Sequence, residues 1–70
     1  MIRTPVTSSN LRSVGYDQGK QILEIEFHGG GVYQYYSVPP SIYQGLMQAA
    51  SHGSYFHTHI KDGYAYRRIR

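Results

Sequence analysis

Tyr33 and Tyr35, separated by one residue, are the side chains of this sequence best suited by type and spacing to bind something. On a β-strand, side chains two apart lie on one face roughly 7 Å from each other, and rings so placed form a platform on which successive nucleic-acid bases stack. The same alternation also suits a sheet face covered by helices, where both rings are core and their hydroxyls reach the rim. A second group gathers at the C-terminal end, where Tyr64, Tyr66, Arg67, Arg68 and Arg70 interleave aromatic rings with cations. Such a patch can contact phosphates, and Arg12 and Lys61 join it if the last strand pairs within the sheet. The plainer alternative is a solvated basic tail whose arginine stems cover apolar surface.

The other reactive side chains argue against catalysis. His57 and His59 flank a single residue; on a strand they could share an ion, whereas on a helix they project about 200° apart and cannot. Helix is expected there. His28 and His52 fall in turns, and four acidic residues supply no carboxylate cluster for a hydrolytic metal site. None of the seven serines stands in a nucleophile elbow. The run His28-Gly29-Gly30-Gly31 has the composition of a phosphate-cradling loop but falls between two strands, without the helix N-terminus that mechanism requires. Pockets of about 300 Å³ or more are hard to build into a body with a radius of gyration near 11 Å. No enzyme activity, cofactor, metal or small-molecule substrate is therefore expected.

Seventy residues allow one small domain. Seven basic residues against four acidic ones leave +3, and eight of the ten aromatic residues are tyrosine, which pairs an apolar body with a polar tip. Basic charge beside half-exposed aromatics is what binders of single-stranded nucleic acid need. Without cysteine there is neither a disulfide nor a thiolate site. No apolar run approaches a membrane span and Met-Ile-Arg-Thr-Pro carries no signal segment, so a cytoplasmic protein without membrane contact is expected.

Residues 1–7 show no periodicity and read as a flexible N-terminal arm, leaving 8–70 as the domain. Ser9 to Asp17 alternates weakly, with Leu11, Ser13 and Gly15 against Asn10, Arg12, Val14 and Tyr16. A turn at residues 17–20, with Gly19 able to take positive φ, leads into Gln21 to Phe27, where Leu23, Ile25 and Phe27 alternate cleanly with Glu24 and Glu26. The three glycines make a second reversal before Val32 to Val38. Pro39-Pro40 stops the sheet and opens a helix whose apolar stripe is Ile42, Tyr43, Leu46, Met47 and Ala50. Gly45 weakens that helix unless it permits close packing on the sheet. Gly53 ends it, Ser54 caps a second short helix, and Tyr64 to Ile69 returns as a strand with Tyr64, Tyr66, Arg68 and Arg70 on one face. The fold class is α+β: a three-stranded antiparallel meander, one or two helices packed on one face, and a short C-terminal strand.

Ser8-Ser9, Gly15-Tyr16-Asp17, Phe27 with the glycine turn, Tyr33-Gln34-Tyr35, Val38-Pro39, Ser51-His52-Gly53, Tyr55-Phe56 and Ile60, in this order, resemble the KTSC family. The likeness covers about sixty residues. That family is named for a lysyl-tRNA synthetase C-terminal domain and has stand-alone bacterial and phage members, which this chain resembles. The Tyr-x-Tyr element, here Tyr33 and Tyr35, is central to it, and the synthetase context implies RNA. His57 stands where the family pattern has Asn.

The sequence thus describes a small non-catalytic binding module. It is expected to contact RNA, either tRNA or single-stranded, through Tyr33, Tyr35, Arg12, Lys61, Tyr64, Tyr66, Arg67, Arg68 and Arg70, without base-specific reading. The alternative is a protein partner, from host or phage, or a second copy of the chain, docking on exposed tyrosines and a sheet edge.

Overall fold

Clean alternation along residues 22–27 sends Leu23, Ile25 and Phe27 to one side and Glu24 and Glu26 to the other, and this strand becomes the centre of the sheet. The computed structural model describes all residues, 1–70. The chain runs β1 (Arg3–Pro5), β2 (Leu11–Asp17), β3 (Ile22–Phe27), β4 (Val32–Tyr35), α1 (Pro40–Gln48), α2 (His52–His59) and β5 (Tyr66–Arg68). All neighbouring strands are antiparallel, in the order β1-β2-β3-β4-β5. The meander therefore has five strands. The accessible surface of 4339 Å² is close to the roughly 4,400 Å² expected for this mass. No helix is long and apolar enough to cross a membrane.

Both helices cover one face. Leu46 of α1, Phe56 of α2 and Ile60 just beyond it pack with Leu11, Val14, Leu23, Ile25, Tyr35 and Val38. Full burial of each large aliphatic side chain contributes about 1.5–3 kcal/mol. Tyr16 stacks on Tyr43 of α1 at 4.6 Å between ring centroids, and its hydroxyl donates to the Val38 carbonyl. Burial first, and then the charge of Asp17, raise the Tyr16 pKa.

Residues 3–5, expected in a loose arm, are instead a paired strand. Arg3 lies opposite Gly15, and a Cβ there would stand 2.8 Å from the Ile2 carbonyl, so only glycine lets this segment lie so close. The weak alternation of β2 also has a local cause. Leu11 pairs with Phe27 but Ser13 pairs with Glu26, so Arg12 is the extra residue of a β-bulge. Leu11 consequently shares the core face with Val14 rather than with Ser13. At the next turn the positive φ falls on Gln21, at 55°, rather than on Gly19.

The helix ends differ from expectation in one consistent way. α1 stops at Gln48 with an extended Ala49, and Ser51, not Ser54, caps α2 by accepting from the Ser54 N–H. Gly53 lies inside the first turn of α2 and terminates nothing. Gly45 allows a close approach to α2 rather than to the sheet, since a Cβ there would sit 2.2 Å from the Tyr55 hydroxyl.

Candidate functional site

Cross-strand partners share a sheet face, so the registers decide where each candidate side chain points. Tyr33 pairs with Ile25 and Arg68, and Tyr35 pairs with Leu23 and Tyr66, which puts Tyr33, Tyr35, Tyr66 and Arg68 on the helix side. There five rings close into a cycle. Centroid separations are 5.6 Å for Phe27–Tyr33, 6.0 Å for Tyr33–Tyr66, 5.6 Å for Tyr66–Tyr35, 5.5 Å for Tyr35–Phe56 and 5.3 Å for Phe56–Phe27. Tilted and edge-on pairs of this kind contribute about 0.5–1.5 kcal/mol each beyond the area they bury.

Burial divides the cycle. Tyr35 is 4% exposed and belongs to the core, so it cannot stack on a base; its place among the candidate contacts is withdrawn. Burial, followed by the neighbouring Tyr33 and Tyr66, pushes its hydroxyl up to about 12. Tyr66, by contrast, is 59% exposed. Tyr33 is half-buried, with the Arg68 guanidinium 5.8 Å from its ring centroid. A groove of about 470 Å³ opens beside them, with Lys61 and Asp62 on its wall and Phe27 and Phe56 among its lining. This exceeds the volume expected for so small a body because it is an open surface trough rather than an enclosed cavity. At one end Gly31 leaves room for the Tyr33 ring and the Arg68 guanidinium, which would lie 3.1 Å and 3.6 Å from a Cβ.

The other candidate cations are elsewhere. Arg67 pairs with Gln34 on the opposite face. The N–H groups of both Ile69 and Arg70 point at the Val32 carbonyl, a bulge that turns Arg70 across the sheet, where its guanidinium is 3.8 Å from Glu26. Arg70 therefore does not share a face with Tyr66 and Arg68, as strict alternation implied. Arg12, in the β2 bulge, lines a separate groove with Arg3 and Glu26. Tyr64 is half-buried against the core. Of the nine candidates, Tyr33, Lys61, Tyr66 and Arg68 come together; Arg12, Arg67 and Arg70 do not join them. Phe27, Gly29, Gly31, Phe56 and Asp62 are the groove residues not foreseen, and the glycine turn beside a Phe was the available signal for the first three.

The opposite face carries a hydrogen-bonded polar layer. Arg3 donates to Ser13 at 3.0 Å and to Glu24 at 2.5 Å, Ser13 donates to Glu26 at 3.0 Å, and Gln34 donates to Glu24 at 2.9 Å. The Tyr36 hydroxyl donates to the Gln34 side-chain oxygen at 3.2 Å. Desolvation alone would raise the Glu24 pKa, but the bonds from Gln34 and Arg3 outweigh it and hold the carboxyl below its usual range. His57 and His59 lie on α2, so their side chains project apart; His52 donates from Nδ1 to the Leu46 carbonyl and His28 from Nε2 to the Ser8 carbonyl.

Comparison with known proteins adds the lineage. Residues 7–64 match the KTSC domain family. A protein of Stutzerimonas stutzeri (strain A1501), described as uncharacterized, is 47% identical over 70 residues and 99% of each chain. The lysine–tRNA ligase of Nostoc punctiforme is 38% identical over 61 residues, which are 87% of this chain but 11% of the ligase. The crystal structure of a KTSC domain protein from Yersinia pestis is 42% identical, with a TM-score of 0.96 over 99% of this chain and 97% of that one. The chain, with its five-stranded sheet and two helices, belongs to the KTSC domain family.

Proposed function

We propose that this protein is a non-catalytic, cytoplasmic binding module that takes single-stranded RNA on the helix side of its sheet, in the groove of Tyr66, Arg68, Tyr33 and Lys61. The observation carrying this reading is the exposed Tyr66 ring set against a guanidinium that already lies over Tyr33. A base stacking on Tyr66 brings its phosphate within the field of Arg68 and Lys61, which joins aromatic stacking to backbone neutralisation. The net charge of +3 favours a polyanion, and similarity to a stretch of lysine–tRNA ligase supports RNA as its class.

Amide NMR titration with a mixed-sequence single-stranded RNA and with a tRNA pool, at about 50 and 200 mM salt, tests it. Shifts centred on residues 31–33, 61–62 and 66–68 that shrink at the higher salt support the reading. Absence of shifts with both ligands at low salt overturns it and leaves a protein partner on the exposed β5 edge as the working alternative.

A further inference from the structure

Three grooves on the helix side share their walls. The groove of Tyr66 and Arg68 has Phe27, Gly29, Phe56 and Lys61 in common with a second of about 360 Å³. That one has Ser9, Asn10, Gly53 and His57 in common with a third of about 320 Å³, which reaches Ser51 and Ser54 at the start of α2. Together they are one trough along α2, from the β5 edge to the helix N-terminus. Its two ends differ in chemistry. One end is aromatic and carries Lys61 and Arg68 against the single carboxylate of Asp62, whereas the other presents the Asn10 amide, the His57 imidazole and serine hydroxyls. Gly53 leaves the wall open for Asn10, whose Nδ2 would lie 3.1 Å from a Cβ at that position.

We infer that this trough is the path of a single-stranded RNA segment of about four nucleotides, stacked at Tyr66 and Tyr33, neutralised midway by Lys61 and contacted at its far end by Asn10 and His57. This rests on the RNA reading above and extends it from a single stacking site to a track. Gly53 to His59 is roughly 9 Å of helix at 1.5 Å per residue, and the chain continues through Ile60 to Lys61. At about 3.4 Å per stacked nucleotide the helical part holds about three, and Lys61 and Tyr66 lie beyond it with room for one more. Charge places the occupant's backbone, since Lys61 lines both the first and second grooves and Arg68 follows at the end. Amide and imidazole groups offer both donors and acceptors, which match base edges and the 2′-hydroxyl of RNA.

The test measures affinities of an adenylate dinucleotide, tetranucleotide and hexanucleotide for the whole protein and for its Asn10→Ala and His57→Ala variants, both at exposed positions. The expected result is a tetranucleotide at least about tenfold tighter than the dinucleotide, with the hexanucleotide adding little. Each variant weakens the tetranucleotide about three- to tenfold, the worth of one hydrogen bond, and leaves the dinucleotide unchanged. Equal affinities for all three lengths with neutral variants overturn the track while the Tyr66–Arg68 site stands. Failure of every length to bind at low salt overturns both.

Discussion

Arg3 reaches over Gly15 to donate to Glu24 at 2.5 Å, so a residue of the first strand is tied to the third strand across the second. Glu24 is 6% exposed although no helix covers its face. The polar layer and the N-terminal residues supply that cover. Exposed ion pairs contribute little, but this carboxylate has few alternative partners in water.

Arg3→Ala is accordingly expected to destabilise the domain by about 2 kcal/mol, because it leaves a sheltered carboxylate with Gln34 as its remaining side-chain donor. Glu24→Gln in the same chain should cost less in the presence of Arg3→Ala than alone. Urea unfolding of the two single variants and the double variant measures that coupling.

Acid should weaken the same device. The Glu24 pKa is lower in the folded chain than in the unfolded one, so its contribution is complete above the unfolded value of about 4.3 and is lost as pH falls through the folded value. Thermal melts below about pH 5 should therefore show a falling limb that Glu24→Gln flattens. An unchanged limb in that variant would remove Glu24 as its cause.

The alkaline side has its own titrating group. Tyr35 is pushed up to about 12, so the folded state holds a proton that the unfolded chain releases near its ordinary value of about 10. Its contribution is whole below about pH 10 and is lost as pH rises toward 12. Tyr35→Phe should reduce this loss, measured as unfolding midpoint against pH.

Gly45 and Tyr55 set the spacing of the two helices. Gly45→Ala drives a methyl into the Tyr55 ring and should destabilise by about 1–2 kcal/mol despite alanine's better helix propensity. In a Tyr55→Ala background the same change should be neutral or stabilising by up to about 1 kcal/mol, and the sign change is read by paired denaturation curves.

For RNA binding, the registers separate two adjacent arginines. Arg68→Ala should lower affinity and flatten the salt slope by about 0.7, while Arg67→Ala, on the opposite face, should leave the slope nearly unchanged. Tyr66→Ala should cost about 1–3 kcal/mol of binding, and because its ring also meets Tyr33 and Tyr35 it should lower the melting temperature, though by less than loss of the buried Tyr35 ring. Tyr35→Ala should instead destabilise the fold by about 3–5 kcal/mol, as a melt would record. Equal effects of the two arginine changes would contradict this division of faces.

Features dictated by nearest neighbours were legible in the residues: the alternation of Leu23, Ile25 and Phe27, the reversal at the three glycines, the stop at Pro39-Pro40 and the apolar stripe carrying Leu46. Each follows from the conformational preferences of a few adjacent residues. The KTSC resemblance, too, was visible in the spacing of Gly15-Tyr16-Asp17, Tyr33-Gln34-Tyr35 and Ser51-His52-Gly53. What alternation could not supply was the count of residues opposite each other on paired strands. The extra residue at Arg12 moves Leu11 into the core, and the irregular pairing at Val32 carries Arg70 away from Arg68. Nor could it show that Arg3 finds Glu24, since that contact joins positions 21 apart in the chain. Tyr33 and Tyr35 have the same type and adjoining places, yet only their position beneath α2 and beside β5 makes one a groove wall and the other core. Local sequence sets which way a chain can turn; which surfaces meet, and so which side chains remain for a ligand, depends on contacts between residues far apart along it.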